Sequence, residues 1–288
     1  MARKSIFVAV IILALATIAC GLNINIPAVD VKVGPTQTEA INVEAPSSGS
    51  VANLKLSFAA GKLTLAPGAE NGLVSGTATY NVADLKPQVS TNGNSVTIQT
   101  GDLKINGIPN FGKNYKNEWD LKLGSATMNL VINAGAYDGN IDLGGLSLQS
   151  LDVTDGAANA DLGFSSPNKT DMASLRYETG ASSVKLTGLG NANFSEMTFK
   201  SGAGNYTLDF SGSLKRDATV DVQSGVSQLV IVVPEGVSAR VAMKSGLSNV
   251  TSQGNWQKSG SDYVLSGRGP ALTISVSMGA GNLELRNR

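Results

Sequence analysis

Two aspartates, Asp142 and Asp161, have the residue type and spacing that a carbohydrate-cleaving site needs. The repeat described below predicts equivalent outward positions for them on adjacent strands, with Lys185 on the strand after. Neighbouring strands lie about 4.8 Å apart, and retaining glycosidases hold two carboxyl groups about 5–5.5 Å apart. The same stacking pairs Asp161 with Lys185 and Asp152 with Arg176, as opposite charges on neighbouring strands often do. We therefore interpret these aspartates as exposed charge pairs and predict no catalytic residue.

Histidine is absent from the 288 residues, and cysteine occurs once. Histidine is the commonest general base near neutral pH and the commonest metal ligand. A single cysteine forms neither an intrachain disulfide nor a paired-cysteine metal site. Lys and Arg number 22, as do Asp and Glu, and no basic block indicates nucleic acid. The composition therefore argues against an enzyme, a cofactor, a metal site and nucleic-acid binding.

Two aromatic residues, Trp256 and Tyr263, flank a Lys-Ser-Gly-Ser-Asp turn in the segment NWQKSGSDYVLSG. One interpretation is an aromatic hairpin that stacks on a sugar or contacts a partner. The alternative is a flap over the open end of the repeat, because stacked units need a cover at their ends. Both interpretations stay open, and these two residues are the candidate surface-binding residues.

The elements that would position these residues belong to a repeat built around glycine. Apolar residues stand five and three positions before each repeat glycine, and such alternation turns both side chains to one strand face. A second apolar pair usually follows four and six positions after the glycine, although the Gly135 copy is interpreted with an insertion that places Ile141 and Leu143 there. We expect the glycine to supply a positive φ or a tight corner. The repeat glycines are Gly61, Gly135, Gly156, Gly180, Gly202, Gly225, Gly246 and Gly279.

The spacing of these glycines predicts the fold class. From Gly135 to Gly246 the steps are 21, 24, 22, 23 and 21 residues, and the last step, to Gly279, is 33. A period of this size is typical of a solenoid, whereas a propeller blade needs about 40 residues. The sequence therefore predicts an all-β protein, a parallel β-helix with rungs of about 22 residues. Amides and hydroxyls three positions after the glycines are expected to stack along one corner.

The chain divides into four predicted segments. Residues 1–20 are typical of a secretory signal, with an apolar core too short for an ordinary membrane span. The end of this signal, Thr17-Ile18-Ala19-Cys20, is similar to a bacterial lipobox, although leucine usually stands where Thr17 is; we predict a lipid anchor at Cys20. Residues 21–50 are interpreted as a linker, 51–125 as an irregular N-terminal β segment or cap, and 126–288 as the solenoid repeats.

The glycine corners GAYDGN, DGAANA, TGASSV, SGAGNY and MGAGNL, with VPEGVSARV late in the chain, resemble the bacterial toast-rack family over about residues 50–288. The resemblance implies a right-handed β-helix at the cell envelope, adhesin-like and without a catalytic motif. Together with the predicted signal and Cys20, it leads to the hypothesis of a lipid-anchored, extracytoplasmic binding or scaffolding protein, attached to the membrane through Cys20, with a cell-wall glycan or an envelope protein as its partner. The alternatives are an envelope-stress sensor acting through a protein partner and a glycan-active β-helix enzyme.

Overall fold

The structure is a computed structural model that describes residues 28–47, 49–101 and 108–288. The predicted signal peptide and Cys20 lie outside the described residues. Two short 3₁₀ helices, Ala83–Leu85 and Leu189–Ala192, accompany the strands. The strands are β1 Ala28–Asp30, β2 Gln37–Glu44, β3 Ala52–Pro67, β4 Gly72–Tyr80, β5 Pro87–Asn92, β6 Ser95–Thr100, β7 Ile108–Asn110, β8 Asn117–Leu123, β9 Met128–Asp142, β10 Leu148–Gly163, β11 Met172–Thr187, β12 Phe194–Asp209, β13 Ala218–Val233, β14 Ser238–Gln253, β15 Gln257–Ser259, β16 Asp262–Leu265 and β17 Ala271–Asn287.

The long strands β9 to β13 stack in parallel and in chain order, which confirms the all-β class. Leu151 of β10 pairs with Leu175 of β11, Leu175 with Met197 of β12, and Met197 with Val220 of β13. Each of these strands runs through its repeat glycine without interruption, so both apolar pairs of a copy belong to one bent strand. The right-handedness of the coil stays a prediction.

The repeat pattern correctly predicts the core. Of the sixteen apolar residues before the repeat glycines, fifteen are buried and Met243 is partly buried against them. The pairs after the glycine turn inward as well, so the two halves of each bent strand face each other. Phe199, before the corner of β12, contacts Tyr206, after it, with ring centroids 5.3 Å apart. The interior of the solenoid is therefore filled by side chains from both halves.

Glycine is required at the corners because the backbones of successive strands approach each other closely there. The expected positive φ is found at Gly61 but not in the regular copies. Gly61 has a φ of 127°, whereas Gly156 and Gly180 lie outside the left-handed region. A Cβ on Gly180 would stand 2.3 Å from the carbonyl oxygen of Gly156, and one on Gly202 would stand 2.7 Å from that of Gly180. Successive corners therefore touch backbone to backbone, and any side chain would push them apart.

Two copies of the repeat have a different register from the one predicted. A Cβ on Gly135 would meet the carbonyl oxygen of Ala59, so Ala59 rather than Gly61 is the equivalent corner in β3. In β9, Gly139 pairs with Ala160 and Ile141 with Leu162, so the predicted insertion does not exist. Gly139 stands at an inward position because the ring of Tyr137 fills the space that a side chain would need.

The last strand is stacked out of chain order. β17 lies between β13 and β14, paired in parallel with both. A Cβ on Gly279 would accordingly meet the carbonyl oxygen of Gly225 at 2.8 Å. The step of 33 residues before Gly279 contains the antiparallel hairpin of β15 and β16, which pairs with the first half of β14. The stack therefore ends with β14 and this hairpin.

At the other end, the N-terminal strands extend the sheet beyond β9. The first half of β3 pairs with β6, its second half pairs with β8, and β4 and β2 continue antiparallel from β8. The predicted linker is wrong for Gln37–Glu44, since Ile41 and Val43 of β2 are buried in the core. Among the described residues, no helix is long and apolar enough to cross a membrane.

Candidate functional site

Asp142 and Asp161 are not opposite each other, contrary to the predicted alignment. Asp161 pairs with Asn140 in β9 and with Lys185 in β11, while Asp142 pairs with Gly163. The absent insertion shifts Asp142 two residues along its strand, which makes the two aspartates diagonal neighbours. Diagonal partners lie about 7–8 Å apart, so the spacing of a retaining glycosidase is not built here. Both aspartates nevertheless line one depression of about 410 Å³.

The Asp142 carboxylate holds the following loop in place. It accepts hydrogen bonds from the Gly144 amide at 2.9 Å, the Ser165 amide at 3.2 Å and the Ser165 hydroxyl at 2.7 Å. Partial burial acts to raise the pKa of Asp142, but these hydrogen bonds lower it and prevail. A carboxylate that is held ionised and occupied by its own loop is poorly suited to act as a general acid.

The predicted charge pairs occur in register but are not the closest ion pairs. Asp152 lies opposite Arg176, as predicted. The Arg176 guanidinium, however, contacts Glu178 on its own strand at 2.6 Å, and Lys200 contacts the same carboxylate at 3.2 Å. These outward charges neutralise one another on the surface of the sheet, where ion pairs contribute little to stability.

Tyr263 and Trp256 lie at the hairpin that closes the stack. Tyr263 is in β16, opposite Val241 of β14, and only 7% of it is exposed. Trp256 packs partly buried against the core, and Lys258 lies over the Tyr263 ring, 5.7 Å from its centroid. This placement favours the interpretation as a cover, and a binding role for the two rings stays a prediction.

A buried polar cluster around Asp155 has no counterpart in the sequence analysis. Asp155 is 6% exposed, and four hydroxyl groups surround its carboxylate. The Tyr177 hydroxyl donates to Oδ2 of Asp155 at 2.8 Å, and the Tyr137 hydroxyl donates to the same oxygen at 3.5 Å. The Thr179 hydroxyl donates to Oδ1, and the Ser182 hydroxyl donates to Oδ1 at 3.5 Å. Burial raises the pKa of Asp155, and these hydrogen bonds offset only part of the rise.

This cluster continues along the inside of the corner. Thr179 pairs with Ser201 in the next strand, and the Ser201 and Ser224 hydroxyls lie 2.7 Å apart. These residues share one position, directly before the repeat glycine. The sequence carries a signal for them, because the positions five, three and one before the glycine all point inward, yet the last is polar in four successive copies: Asp155, Thr179, Ser201 and Ser224.

On the outside of the same corner runs an apolar line that we name the alanine ridge. It consists of the residues directly after the repeat glycines, stacked strand over strand, and it extends about 25 Å at the usual strand spacing. Val226 is 65% exposed, far more than most large apolar side chains in the protein. The members of the alanine ridge are Ala136, Ala157, Ala181, Ala203, Val226 and Ala280.

An aromatic pair lies at one end of the alanine ridge. The rings of Phe111 and Tyr115 have centroids 4.2 Å apart, and the Tyr115 hydroxyl donates to the carbonyl oxygen of Ala60 at 2.8 Å. With Ala136 and Ala157 they line a depression of about 460 Å³. Burial raises the pKa of Tyr115 to about 12, so its hydroxyl stays protonated.

Polar side chains border the alanine ridge two residues farther along each strand. Asn205 lies opposite Gln228, and Gln228 opposite Asn282, which gives the stacking predicted for this position. At the start of the row, the Asn159 amide donates to Asp138 at 3.3 Å. The ridge is therefore an apolar line beside a row of hydrogen-bonding groups. Within the described part of the chain, no three acidic or cysteine residues gather as a metal site.

Comparison with solved structures finds proteins that align with most of this chain over their own full length. A candidate cell adhesion protein from Clostridium sporogenes is 17% identical, with a TM-score of 0.48, over 88% of this chain and 100% of that one. A candidate adhesin from Bacteroides fragilis is 12% identical, with a TM-score of 0.35, over 91% and 100%. A candidate lipid-binding protein from Parabacteroides distasonis is 8% identical, with a TM-score of 0.34, over 91% and 100%. No curated protein matches the chain.

Comparison with protein families is more specific. The family described as the N-terminal domain of toast_rack, DUF2154, matches residues 32–186 and again residues 167–232. The two matches together span the N-terminal extension and the strands up to β13. They include the region where successive glycine corners touch. The chain belongs to the toast-rack family.

Proposed function

We propose that this chain is a lipid-anchored, extracytoplasmic β-solenoid that binds or scaffolds at the cell envelope without catalysing a reaction. The alanine ridge is the observation that supports this function best. A line of small apolar residues beside a row of amides offers van der Waals contact and hydrogen bonds together, over several strands. Such a surface suits an extended glycan or polypeptide lying along the solenoid axis.

The aromatic pair gives this surface a defined end. Phe111 and Tyr115 line one depression together with the first alanines of the ridge, and aromatic rings supply a large apolar contact area. The envelope location rests on the toast-rack membership together with the predicted signal and Cys20. Lipidation at Cys20 would hold the solenoid at a membrane surface, with the residues between Cys20 and β1 as the tether.

The surroundings of Asp142 and Asp161 support the non-catalytic part of the proposal. Asp142 is occupied by hydrogen bonds from its own loop, and Asp161 lies opposite Lys185. A glycan-active enzyme would instead need one carboxyl group free to donate a proton and a second carboxylate free to act as a nucleophile or as a base that activates water. A loss of specific glycan turnover on mutating Asp142 or Asp161 would restore the enzyme alternative.

The test is a retention experiment with purified residues 21–288, mixed separately with insoluble cell wall and with solubilised envelope proteins of the source organism. Saturable retention on the wall would identify a glycan-binding protein. One stoichiometric protein partner, without wall retention, would favour the sensor or regulator alternative. Absence of retention on both would overturn the binding function.

Matched variants assign the binding to a surface. Val226→Lys places a charge on the alanine ridge, and Val89→Lys is its control, since Val89 is 47% exposed on β5, away from the ridge. We expect Val226→Lys alone to weaken retention. Trp256→Ala tests the hairpin interpretation in the same assay, and a loss confined to Trp256→Ala would move the site to the hairpin.

A further inference from the structure

Two depressions meet on the outer surface of β3, β9 and β10, and we name the combined feature the trough. The first is the depression of about 460 Å³ beside Phe111 and Tyr115, and the second has a volume of about 420 Å³. Both are lined by Asp138 and Asn159, so the first continues directly into the second. The polar side chains that line the second depression are Lys62, Thr64, Asp138, Asn140, Asn159 and Asp161.

These polar side chains form two rows across three neighbouring strands. In the first row, Asp138 of β9 lies opposite Lys62 of β3 and Asn159 of β10, and the Asn159 amide donates to Asp138 at 3.3 Å. The second row, two residues farther along each strand, consists of Thr64, Asn140 and Asp161. Members of a row stand about 4.8 Å apart. Because carboxylates accept hydrogen bonds and amides both donate and accept them, the rows are suited to a molecule that presents several hydroxyl groups.

The first depression is apolar and aromatic. Phe111 and Tyr115 are both half-buried, and the hydrogen bond from the Tyr115 hydroxyl to the carbonyl oxygen of Ala60 fixes the position of that ring. Alanines form much of the remaining lining: Ala60, Ala136, Ala157, Ala158 and Ala181. Ligand sites commonly combine an apolar lining with a few polar groups that fix orientation. A sugar ring has an apolar face of C–H groups and an edge of hydroxyl groups, and the trough offers a partner for each.

The strands beneath the trough have no free edge. β9 is paired on both sides, with β3 and β10, and β10 is paired with β9 and β11. An extended polypeptide therefore cannot bind here as an additional strand, which is a common way for peptides to bind sheets.

The charges of the trough favour a neutral ligand. Its lining includes the carboxylates of Asp138 and Asp161, and Lys62 is the basic residue among the lining residues. Lys62 itself lies 3.9 Å from the carboxylate of Glu118. An acidic polymer would therefore meet like charges and a base that already has a partner.

We propose that the trough binds a neutral oligosaccharide. One sugar ring lies against Phe111 and Tyr115, and the hydroxyl groups of the following units bind the row of Asp138 and the row of Asn140. The inference rests on the proposed binding function and gives that function a ligand class and a location. A polypeptide bound along the alanine ridge would leave the proposed function standing without this inference.

The test is isothermal titration calorimetry with residues 21–288, which include every described strand. The probes are tetrasaccharides of glucose, mannose, galactose and N-acetylglucosamine, and tetragalacturonate is the acidic probe. We expect saturable binding of at least one neutral probe and no binding of tetragalacturonate. Phe111→Ala and Asp138→Ala should each raise the dissociation constant about tenfold or more, as the loss of an anchoring side chain does. Glu196→Ala is the control, since Glu196 is an exposed carboxylate before the corner of β12, and it should bind as the wild type does.

The outcomes separate this inference from the proposed function. Absence of binding by every neutral probe would overturn the inference, and the proposed function would still stand if retention on cell wall or on an envelope protein persisted. Absence of both would overturn both. Equal binding by Asp138→Ala and Glu196→Ala would remove the trough as the site, and tetragalacturonate binding as tightly as the neutral probes would contradict the ligand class. Asp138 is exposed, so its variant keeps the test valid even if Phe111→Ala fails to fold.

Discussion

The Tyr177 hydroxyl donates a hydrogen bond of 2.8 Å to the Asp155 carboxylate on the neighbouring strand, inside the corner of the solenoid. Among the described ion pairs, none involves Asp155. Its charge is therefore balanced by hydroxyl groups alone, at the polar line that runs along the inside of the corner. Burial outweighs these hydrogen bonds and raises the pKa of Asp155 from its ordinary value of 3.8. The corner thus holds a carboxyl group whose pKa is higher in the folded protein than in the unfolded chain.

We expect Asp155→Asn to remove a component of stability that decreases as the pH rises. Because the pKa of Asp155 is higher in the folded than in the unfolded state, its favourable contribution is complete below the unfolded value, about 3.8. It is lost as the pH rises through the folded pKa. The free energy of unfolding, measured by urea titration across the acidic range, should therefore decrease with rising pH more in the wild type than in Asp155→Asn.

Asp142→Asn is the matched control, because its pH dependence has the opposite sign. Hydrogen bonds from Ser165 and Gly144 outweigh the effect of burial and lower the pKa of Asp142 in the folded state. That contribution is present above the unfolded pKa and lost as the pH falls through the folded value. A common slope for the Asp142→Asn and Asp155→Asn difference curves would contradict both assignments.

We expect Gly180→Ala to destabilise the solenoid by about 1–3 kcal/mol, the usual cost of forcing extra volume into a packed interior. The new Cβ would stand 2.3 Å from the carbonyl oxygen of Gly156, and backbone atoms cannot move aside as a flexible side chain can. Gly112→Ala is the control, since nothing lies within 4 Å of a Cβ there. Equal urea midpoints for Gly180→Ala and the wild type would show that the corners are not in close contact.

The alternation around glycine was sufficient to predict the strand class and the core. It identified inward residues correctly because burial imposes a period of two on any strand with one wet face. The inward polar residues directly before the glycines were not predicted, because the pattern was defined by apolar pairs alone. Asp155 stands at an inward position but is satisfied by hydroxyl groups from neighbouring strands, which are distant in sequence.

The order of the last strands could not be predicted from spacing. The Gly246 and Gly279 copies both have the apolar pair before the glycine. The residues of β17 carry no pattern that would predict its pairing with β13 rather than with β14 alone. In its second half, however, the Gly246 copy has Ser252 where the regular copies carry an apolar residue six positions after the glycine. Ser252 lies in β14, whose second half pairs with β17 alone among the described strands. A strand at the edge of a stack has less need of an inward apolar residue.

We expect Cys20→Ser to abolish attachment to the membrane. Cys20 is the cysteine of the predicted lipobox, and a thiol is required to receive the lipid. The full chain is expressed in its source organism and partitioned between a detergent phase and an aqueous phase. The wild type should enter the detergent phase, and Cys20→Ser should enter the aqueous phase. Ser5→Ala, a substitution in the same signal that spares Cys20, is the control and should stay in the detergent phase. Equal partitioning of Cys20→Ser and the wild type would exclude lipidation at this residue.

We expect Phe199→Ala to lower the free energy of unfolding by about 3–5 kcal/mol, the range for removing a buried phenylalanine ring. Phe199 is fully buried at the centre of the stack. Its ring lies 5.9 Å from that of Tyr177 on the preceding strand and 5.3 Å from that of Tyr206 across the corner. The cavity would therefore open between both halves of the bent strand and between two rungs. Val226→Ala, on the exposed ridge, should cost less than about 1 kcal/mol, and a Phe199→Ala midpoint as close to wild type as that of Val226→Ala would refute the assignment of this ring to the core.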